Sequence, residues 1–403
     1  MRILHVVSTL SPRYGGPAQV CRELTKRLVA RGHEVEIYTT NLDWPPSRGT
    51  LPVPVGAGFS EQGVKVHYFA CEFWPFEFSL GLARALRREI GTFDLVHIHG
   101  IYRFPQIVAG YFAARAGVPY WVRPHGSLDP FIYNKPERRR WKRLFERYFA
   151  FPLLNHATRI HYTSELESQN TIQHNFRGKP LVLPNGIESD HFRALPERGR
   201  LRRQFGLEGK FVILHFGRID QKKGLNLLVE ATGRVAAHRD DIMLVLAGPE
   251  DEAYGRQVRA WAAEHGIADR TLFTGMLVGE DKLQILADAD VFVLASYAEN
   301  FAVAAVEAMA AGLPVVVSQE VGIWPSVREA NAGIVIPCEG EALADALMRL
   351  ASDRELRIRL GRNGQACAHA LYDWEHVVPA LEAEYRRSVN REPFGTIIET
   401  SSP

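Results

Sequence analysis

The stretch Val291–Ser318, VFVLASYAENFAVAAVEAMAAGLPVVVS, constrains the fold more than any other part of the chain. Two apolar runs of strand character, Val291–Ala295 and Pro314–Val317, flank an Ala-rich segment of helical composition, Ala302–Ala311, closed by Gly312 and Pro314. A strand–loop–helix–strand unit of this kind builds a parallel sheet. Two carboxylates sit where apolar patterning has no use for them: Glu299 in the turn before the helix, and Glu307 inside it. Helix N-termini favour anions, because their free N–H groups point outward at the positive end of the dipole. A helix start flanked by acids therefore suits a ligand that is part phosphate and part polyhydroxylated.

The same alternation runs through the rest of the chain. Arg2–Ser8 reads as a buried strand, the turn SPRYGGPAQ leads to a helix near Ala18–Arg31, and Glu34–Thr39 is a second strand. Gly15 and Gly16 thus fall at the carboxyl end of the first strand, the edge where open α/β sheets bind ligands. Their spacing is not GxGxxG, which argues against a dinucleotide fingerprint; a tight structural turn and a close approach to phosphate or sugar both remain open. Residues Asn41–Gly63, rich in Pro and Gly, read as a long mobile loop. Val64–Phe69 reads as a strand, Leu80–Ile90 as a helix and Asp94–Gly100 as a strand. His97 and His99 share one strand face, but no nearby Cys or carboxylate completes a metal set. The strand Tyr120–Arg123 runs into PHGSLDP, placing His125 at another carboxyl end.

Pro184-Asn185-Gly186 are turn residues, and after them the architecture restarts. Phe211–Gly217 is a strand ending in GRIDQKKG before a helix from Leu225; Met243–Gly248 and Thr271–Gly275 are further strands. A chain of 403 residues is too long for one ordinary core. The reading is α/β with two doubly wound domains, at 1–186 and 187–371, an amphipathic helix at 372–390, and a disordered tail at 391–403.

Charge is informative only locally, since the net charge is +2. Arg218, Lys222 and Lys223 follow a strand end directly and suit a diphosphate, which leaves more easily when neutralised. Asp288 and Asp290 have the DxD spacing of some metal sites, but they close a helix and enter a strand, so they read as a turn and no metal is expected. Arg198–Arg203 is a basic cluster without evident purpose. Between Glu137 and Arg147 six Lys/Arg face two Glu. Within Pro136–Leu154, Trp141, Leu144, Phe145, Tyr148 and Phe149 make one apolar helical stripe. Such a helix packs in a core with a solvated cationic face, or docks on an anionic membrane surface. The four cysteines lie far apart without a CxxC, as reduced thiols in a cytoplasmic protein do. The N-terminal apolar run is too short for a signal peptide, and no stretch reaches the length of a membrane span.

Gly15-Gly16, His125, FGRIDQKKG, Leu246–Gly248, the Glu299-x7-Glu307 pair and PVVVS occur in an order that resembles the family-four retaining glycosyltransferases of the GT-B fold. The resemblance spans Arg2 to about Arg387. It implies two Rossmann-like domains facing across a cleft, the first binding acceptor and the second nucleotide sugar, with the C-terminal helix crossing back to the first. It implies that Arg218 and Lys223 bind the diphosphate and stabilise it as it leaves, with Gly217 and Gly248 beside the donor. Glu299 would accept from the sugar hydroxyls, Asn300, Phe301 and Ala302 would touch sugar or phosphate through their backbone, and Glu307 would accept from the ribose. His125 would sit by the donor sugar, and Gly15 and Gly16 beneath phosphate and acceptor. The family often has Gly-Phe-Gly after the first Glu; here the residues are Asn300-Phe301-Ala302, and the extra methyl bears on donor fit.

The implied reaction is sugar transfer from a UDP- or GDP-sugar, with retained configuration and without a cofactor or metal. The acceptor would be a glycan or lipid-linked molecule in polysaccharide, O-antigen or glycolipid synthesis. The enzyme would be cytoplasmic, on the inner membrane face where the basic helix meets lipid, and nothing in the charge pattern suggests nucleic acid. A sugar-nucleotide 2-epimerase on the same fold, and a non-catalytic sugar- or membrane-binding relative, are the alternatives.

Overall fold

A computed structural model describes residues 1–43, 49–133, 139–171 and 174–392. The start of the basic segment, Pro136–Arg138, and the tail from residue 393 lie outside them. The chain forms two compact units: Met1–Pro184 together with the residues from Val377 onward, and Asn185–His376. The second unit therefore runs five residues beyond the expected end at 371.

The first unit is built on eight strands: β1 (Arg2–Thr9), β2 (Glu34–Thr40), β3 (Gly58–Glu61), β4 (Val64–Phe69), β5 (Leu95–His99), β6 (Tyr120–Arg123), β7 (Arg159–Tyr162) and β8 (Lys179–Val182), in the order β3-β4-β2-β1-β5-β6-β7-β8. All neighbours are parallel except β3, which pairs antiparallel with β4 at the edge. The central strands β5, β6 and β7 are buried at every position, as parallel strands covered on both faces must be. Strand β3 lies within the expected loop 41–63. Its sequence, GFSE, alternates between exposed and half-buried, and an edge strand of that polarity has no apolar run to announce it. The topology reverses between β1 and β5, so the carboxyl ends of these two strands form the switch point of this sheet. Helix α1 (Gly16–Ala30) follows β1.

The basic aromatic segment is not one continuous helix. Helix α2 (Arg139–Phe145) gives way to a π-helical turn at Glu146–Ala150 and then to a short α-helical turn, Phe151–Asn155. Its apolar stripe faces outward: Trp141 is 79% and Tyr148 63% exposed, Leu144 and Phe149 are exposed, and only Phe145 packs against the core. The inward group is a carboxylate. Glu146 is buried and accepts from the hydroxyls of Tyr102 (2.6 Å) and Tyr133 (3.1 Å). Of the two readings of this stripe, the core-packed one is corrected accordingly.

The second unit has six parallel strands, β9 (Phe211–Phe216), β10 (Ile242–Ala247), β11 (Thr271–Gly275), β12 (Val291–Leu294), β13 (Val315–Ser318) and β14 (Gly333–Ile336), ordered β11-β10-β9-β12-β13-β14. Helices α3 (Arg200–Phe205), α4 (Leu225–Ala236), α5 (Glu280–Asp288) and α6 (Val303–Ala310) belong to it. Alternate residues of each strand join opposite cores. Val212, Leu214, Phe292, Leu294, Val315 and Val317 pack with α6 on one face. Ile213, Leu244, Leu246, Val291, Val293 and Val316 pack with α4 on the other. Burial on both faces explains the unbroken apolar runs. The switch point here lies between β9 and β12.

The last described helix, α7 (Trp374–Asn390), carries the chain back to the first unit from Val377 onward. Within that unit Tyr385 is fully buried and its hydroxyl lies 2.6 Å from His97 Nδ1. Trp121 Nε1 donates to Ser388 Oγ (3.0 Å), and Arg159 pairs with Glu384 at 2.8 Å.

Candidate functional site

In the second unit, the loops after β9 and β12 meet at the switch point. Asp220 caps the single helical turn Gln221–Lys223 by accepting from Lys222 N–H at 3.0 Å. Tyr297 N–H donates to the Lys222 carbonyl (2.8 Å), and Asn226 Nδ2 donates to Tyr297 Oη (2.8 Å). These bonds join one loop to the other. The loop that carries Glu299 is also tied to the segment after β13, through Glu299 N–H to Glu320 O (3.0 Å) and Gly322 N–H to Glu299 O (2.7 Å).

The Lys223 ammonium donates to the Glu299 carboxylate, both side chains being nearly buried. Burial alone raises the Glu299 pKa, but Lys223, Lys222 and Arg218 more than reverse this and hold it at about 2. Lys222 responds to the same crowd. Glu299 favours its charge, yet burial and the like charges of Lys223 and Arg218 leave its pKa below the usual lysine value. The Arg218 side chain is exposed and forms no hydrogen bond or ion pair among the described residues. Three cations around one ionised carboxylate leave positive charge over, which a diphosphate would neutralise.

Backbone packing clears the space beside them. Gly217 N–H bonds Ala247 O (2.9 Å), and Gly248 N–H bonds Gly275 O (2.8 Å), so the ends of β9, β10 and β11 lie side by side. A Cβ on Gly248 would stand 1.9 Å from Gly217 O, which only glycine avoids.

Ala302, the N-cap of helix α6, adopts a left-handed conformation (φ 78°, ψ 63°) with its methyl in the core. That conformation costs a residue with a Cβ about 1–2 kcal/mol. No side chain caps this helix, so its first N–H groups remain for a ligand. Phe301 turns inward, edge-on to Tyr372 with ring centres 5.4 Å apart. Asn300 is half-buried beside it. Glu307 is buried and paired with Lys282 of α5 at 2.6 Å. Lys282 was not singled out from the sequence, because a lysine on an amphipathic helix looks like any solvated one.

The DxD carboxylates are committed to structure. Asp288 caps α3 by accepting from Leu201 N–H (2.9 Å) and Arg202 N–H (3.2 Å). Asp290 pairs with Arg198 and Arg202, both at 2.6 Å, and accepts from Val212 N–H (2.8 Å). The Arg198–Arg203 cluster thereby acquires its purpose. A surface depression of about 680 Å³ among Arg198, Asp290, Leu313 and Arg357 lies at the amino ends of the strands, away from the site.

In the first unit, Gly15 (φ 81°) caps α1, a conformation that favours glycine, and neither Gly15 nor Gly16 has an atom within 4 Å of where a Cβ would be. His125 follows β6 in a left-handed conformation (φ 53°). The turn is clamped by Glu167, which is buried and accepts from Gly126 N–H (2.7 Å), Thr163 N–H (2.7 Å) and Thr163 Oγ (2.8 Å). Glu167 also escaped the sequence reading; its position only has meaning once β6 and β7 are neighbours.

His97 and His99 are joined by His5, which the β1–β5 register sets opposite His97. The three rings bring nitrogens within 4.8 Å of one another. Burial lowers the pKa of His5, His97 and His99, and the fully buried Arg123 adds to the lowering in each. A divalent cation there would face that charge at low dielectric, and two of the rings are already engaged with each other, His5 Nδ1 lying 3.0 Å from His99 Nε2.

Comparison with known proteins supplies the class. The glycosyl transferase 4-like domain model matches residues 15–186, and the glycosyl transferases group 1 model matches 197–366. The chain is 30% identical over 399 residues to a D-inositol 3-phosphate glycosyltransferase of Actinosynnema mirum, covering 91% of each. It is 26% identical over 395 residues to the GDP-mannose:cellobiosyl-diphosphopolyprenol alpha-mannosyltransferase of Xanthomonas campestris, covering 96% of this chain and 97% of that one. The solved sucrose-phosphate synthase of Thermosynechococcus elongatus superposes with a TM-score of 0.79 at 22% identity, over 97% of this chain and all of that one, and shares the fold. The protein is a glycosyltransferase of the GT-B fold. Within that class the chain belongs to the group 1 glycosyl transferases.

Proposed function

We propose that the protein transfers a hexosyl group from a UDP- or GDP-sugar to a glycan or lipid-linked acceptor, with retention and without a metal ion. The observation that carries this reading is the Lys223–Glu299 pair with Lys222 and Arg218 at the β9/β12 switch point. In the proposed step the bond from the anomeric carbon to the diphosphate oxygen breaks. The acceptor oxygen bonds that carbon from the same face, and the departing phosphate takes the acceptor's proton. Arg218 and Lys223 bind the charge that grows on the leaving group, which is binding that strengthens toward the transition state. Glu299, kept ionised by its cations, accepts from sugar hydroxyls, and Glu307 accepts from the ribose once Lys282 shares it. The assignment of Gly15 and Gly16 to phosphate and acceptor, and of His125 to the donor sugar, belongs to the same proposal. The Xanthomonas relative is named for a GDP-mannose donor and a polyprenol-linked acceptor, which supports a nucleotide sugar here, and the Actinosynnema relative is named for an inositol phosphate.

The test is Arg218→Ala. Its side chain is exposed, so the fold should survive while transfer falls roughly 10²–10³-fold; unchanged turnover would refute the role. Product formed from the donor with no acceptor present would favour the 2-epimerase instead. A further reading concerns location: the exposed Trp141, Leu144, Tyr148 and Phe149 beside Arg140, Arg143 and Arg147 suit docking on an anionic membrane. Among the described residues no helix is long and apolar enough to cross one.

A further inference from the structure

We propose that His5 and His99 hold His125 as a neutral imidazole protonated at Nδ1, so that it offers the site a hydrogen-bond donor and not a base. His125 Nε2 lies 3.1 Å from His99 Nδ1, and His99 Nε2 lies 3.0 Å from His5 Nδ1. The ring centres are 5.4 and 5.3 Å apart with interplanar angles of 24° and 28°. Centre distances exceed the N···N distances by about one ring width, as rings joined edge to edge near a common plane require. The three histidines therefore form a chain from the half-buried His125 to the fully buried His5.

All three rings are neutral. Burial lowers each pKa, that of His5 to about 3, and Arg123 pushes in the same direction. The other titratable groups around the chain do not oppose it. Cys21 of α1 and Tyr385 of α7 are held protonated by burial, and His97 and His161 are themselves neutral. Buried Glu167 favours the charge of Arg123, and burial raises its own pKa.

A neutral imidazole has one N–H, so each link carries one proton and a single choice of direction sets the whole chain. If the protons point toward His5, that ring must keep Nε2–H, yet His5 Nε2 is buried with no hydrogen-bond partner. If they point toward His125, His5 ends in a bare lone pair and His125 Nδ1–H emerges at the open end. An orphaned buried N–H is rarer than an unpaired acceptor. That asymmetry selects the second arrangement. Glu167 then fixes where the donor points, through its bond to Gly126 N–H. His5 and His99 are positioning residues in this scheme. A donating His125 agrees with a step in which the leaving phosphate, not the protein, takes the proton.

The tautomer follows from the hydrogen-bond chain and the burial of its rings, whereas its use in transfer rests on the proposed function. The experiment is a long-range ¹H–¹⁵N correlation spectrum of the whole protein, ¹⁵N-labelled in its imidazoles, with rings assigned by His5→Gln, His99→Gln and His125→Gln. The expected result is pyrrole-type Nδ1 and pyridine-type Nε2 for all three. The opposite pattern, or averaging between the two, overturns the proposal. The variant His5→Asp places an acceptor next to His99 Nε2, which should reverse the chain, leave His125 protonated at Nε2, and lower kcat roughly 10²-fold. If it does not fold, the wild-type spectrum still decides the tautomer. Reversal without loss of turnover would remove the catalytic part of the scheme while leaving the tautomer in place.

Discussion

The Lys223–Glu299 pair allows a quantitative test. Glu299 is held at about 2 instead of 4.5, which favours the folded state by roughly 3 kcal/mol. That net figure already contains the opposing cost of burial, so the cations together supply more than it, and Lys223, which is in contact, should be coupled to Glu299 by about 2 kcal/mol. Lys223→Met leaves a nearly buried carboxylate with two more distant cations; Glu299→Gln leaves Lys222, Lys223 and Arg218 to repel one another. Each single change should destabilise the second unit by about 3 kcal/mol, since one partner of a buried pair is then uncompensated. The double variant should fall short of the sum by about 2 kcal/mol. Hydrogen exchange of the β12 and α6 amides reads this unit by itself, which matters because two units need not unfold in one transition. The depressed pKa also fixes the pH dependence. Stability from Glu299 is complete above its unfolded pKa of 4.5 and is lost as pH falls toward about 2. The coupling should be equal at pH 7 and 5.5 and smaller by about 1 kcal/mol at pH 3.5. Additivity within about 0.5 kcal/mol, or coupling that grows on acidification, would refute the reasoning.

Tyr385→Phe should cost the first unit about 1–2 kcal/mol, because His97 Nδ1 loses its partner inside the core; slowed urea unfolding or unchanged exchange in α7 would contradict it. Ala302→Gly relieves about 1–2 kcal/mol of left-handed strain, but gives up about 0.8 kcal/mol of methyl burial and about 0.5–1 kcal/mol of backbone entropy. Its thermal midpoint should therefore barely move, and a drop of several degrees would mean that the methyl is structurally required. Binding to anionic vesicles, followed by sedimentation, should weaken in Trp141→Ala and decline with salt in the wild type as screening shortens to about 8–10 Å. Binding that ignores salt, or none at all, would remove the electrostatic docking.

How much of this was legible depended on what hides a residue. Strands covered on both faces need unbroken apolar runs, so β9, β10, β12 and β13 were visible as FVIL, MLVLA, VFVL and PVVV. Strand β3 was not, because an exposed edge asks for no such run. Arg218, Lys223 and Glu299 stood out because cations and an acid directly after a strand have no packing purpose. Lys282, Glu167 and His5 matter only through tertiary neighbours, on α5, beside the β6 turn and across the β1–β5 register, and no local pattern marks them. The stripe on α2 shows a different limit. Helical spacing reveals that a face is apolar, but the same spacing serves a core and an open surface, and here Glu146 took the inward position.

The ion pairs also say how the proposed site would tell a whole donor from a diphosphate. Without ligand, Lys223 and Glu299 satisfy each other, as do Lys282 and Glu307. A diphosphate arriving at Arg218 and Lys223 competes with Glu299 for the Lys223 ammonium. A diphosphate alone would then leave Glu299 nearly buried with a weakened partner, an uncompensated charge of the expensive kind. A sugar in the same place offers hydroxyl donors to that carboxylate, and a ribose offers them to Glu307. The cations are thus released to phosphate only when hydroxyls are present to replace them at the acids. On this reading the two carboxylates are selectors as much as contacts: affinity for the intact sugar nucleotide should exceed that for the nucleoside diphosphate, and Glu299→Gln should narrow the gap mainly by binding the diphosphate better.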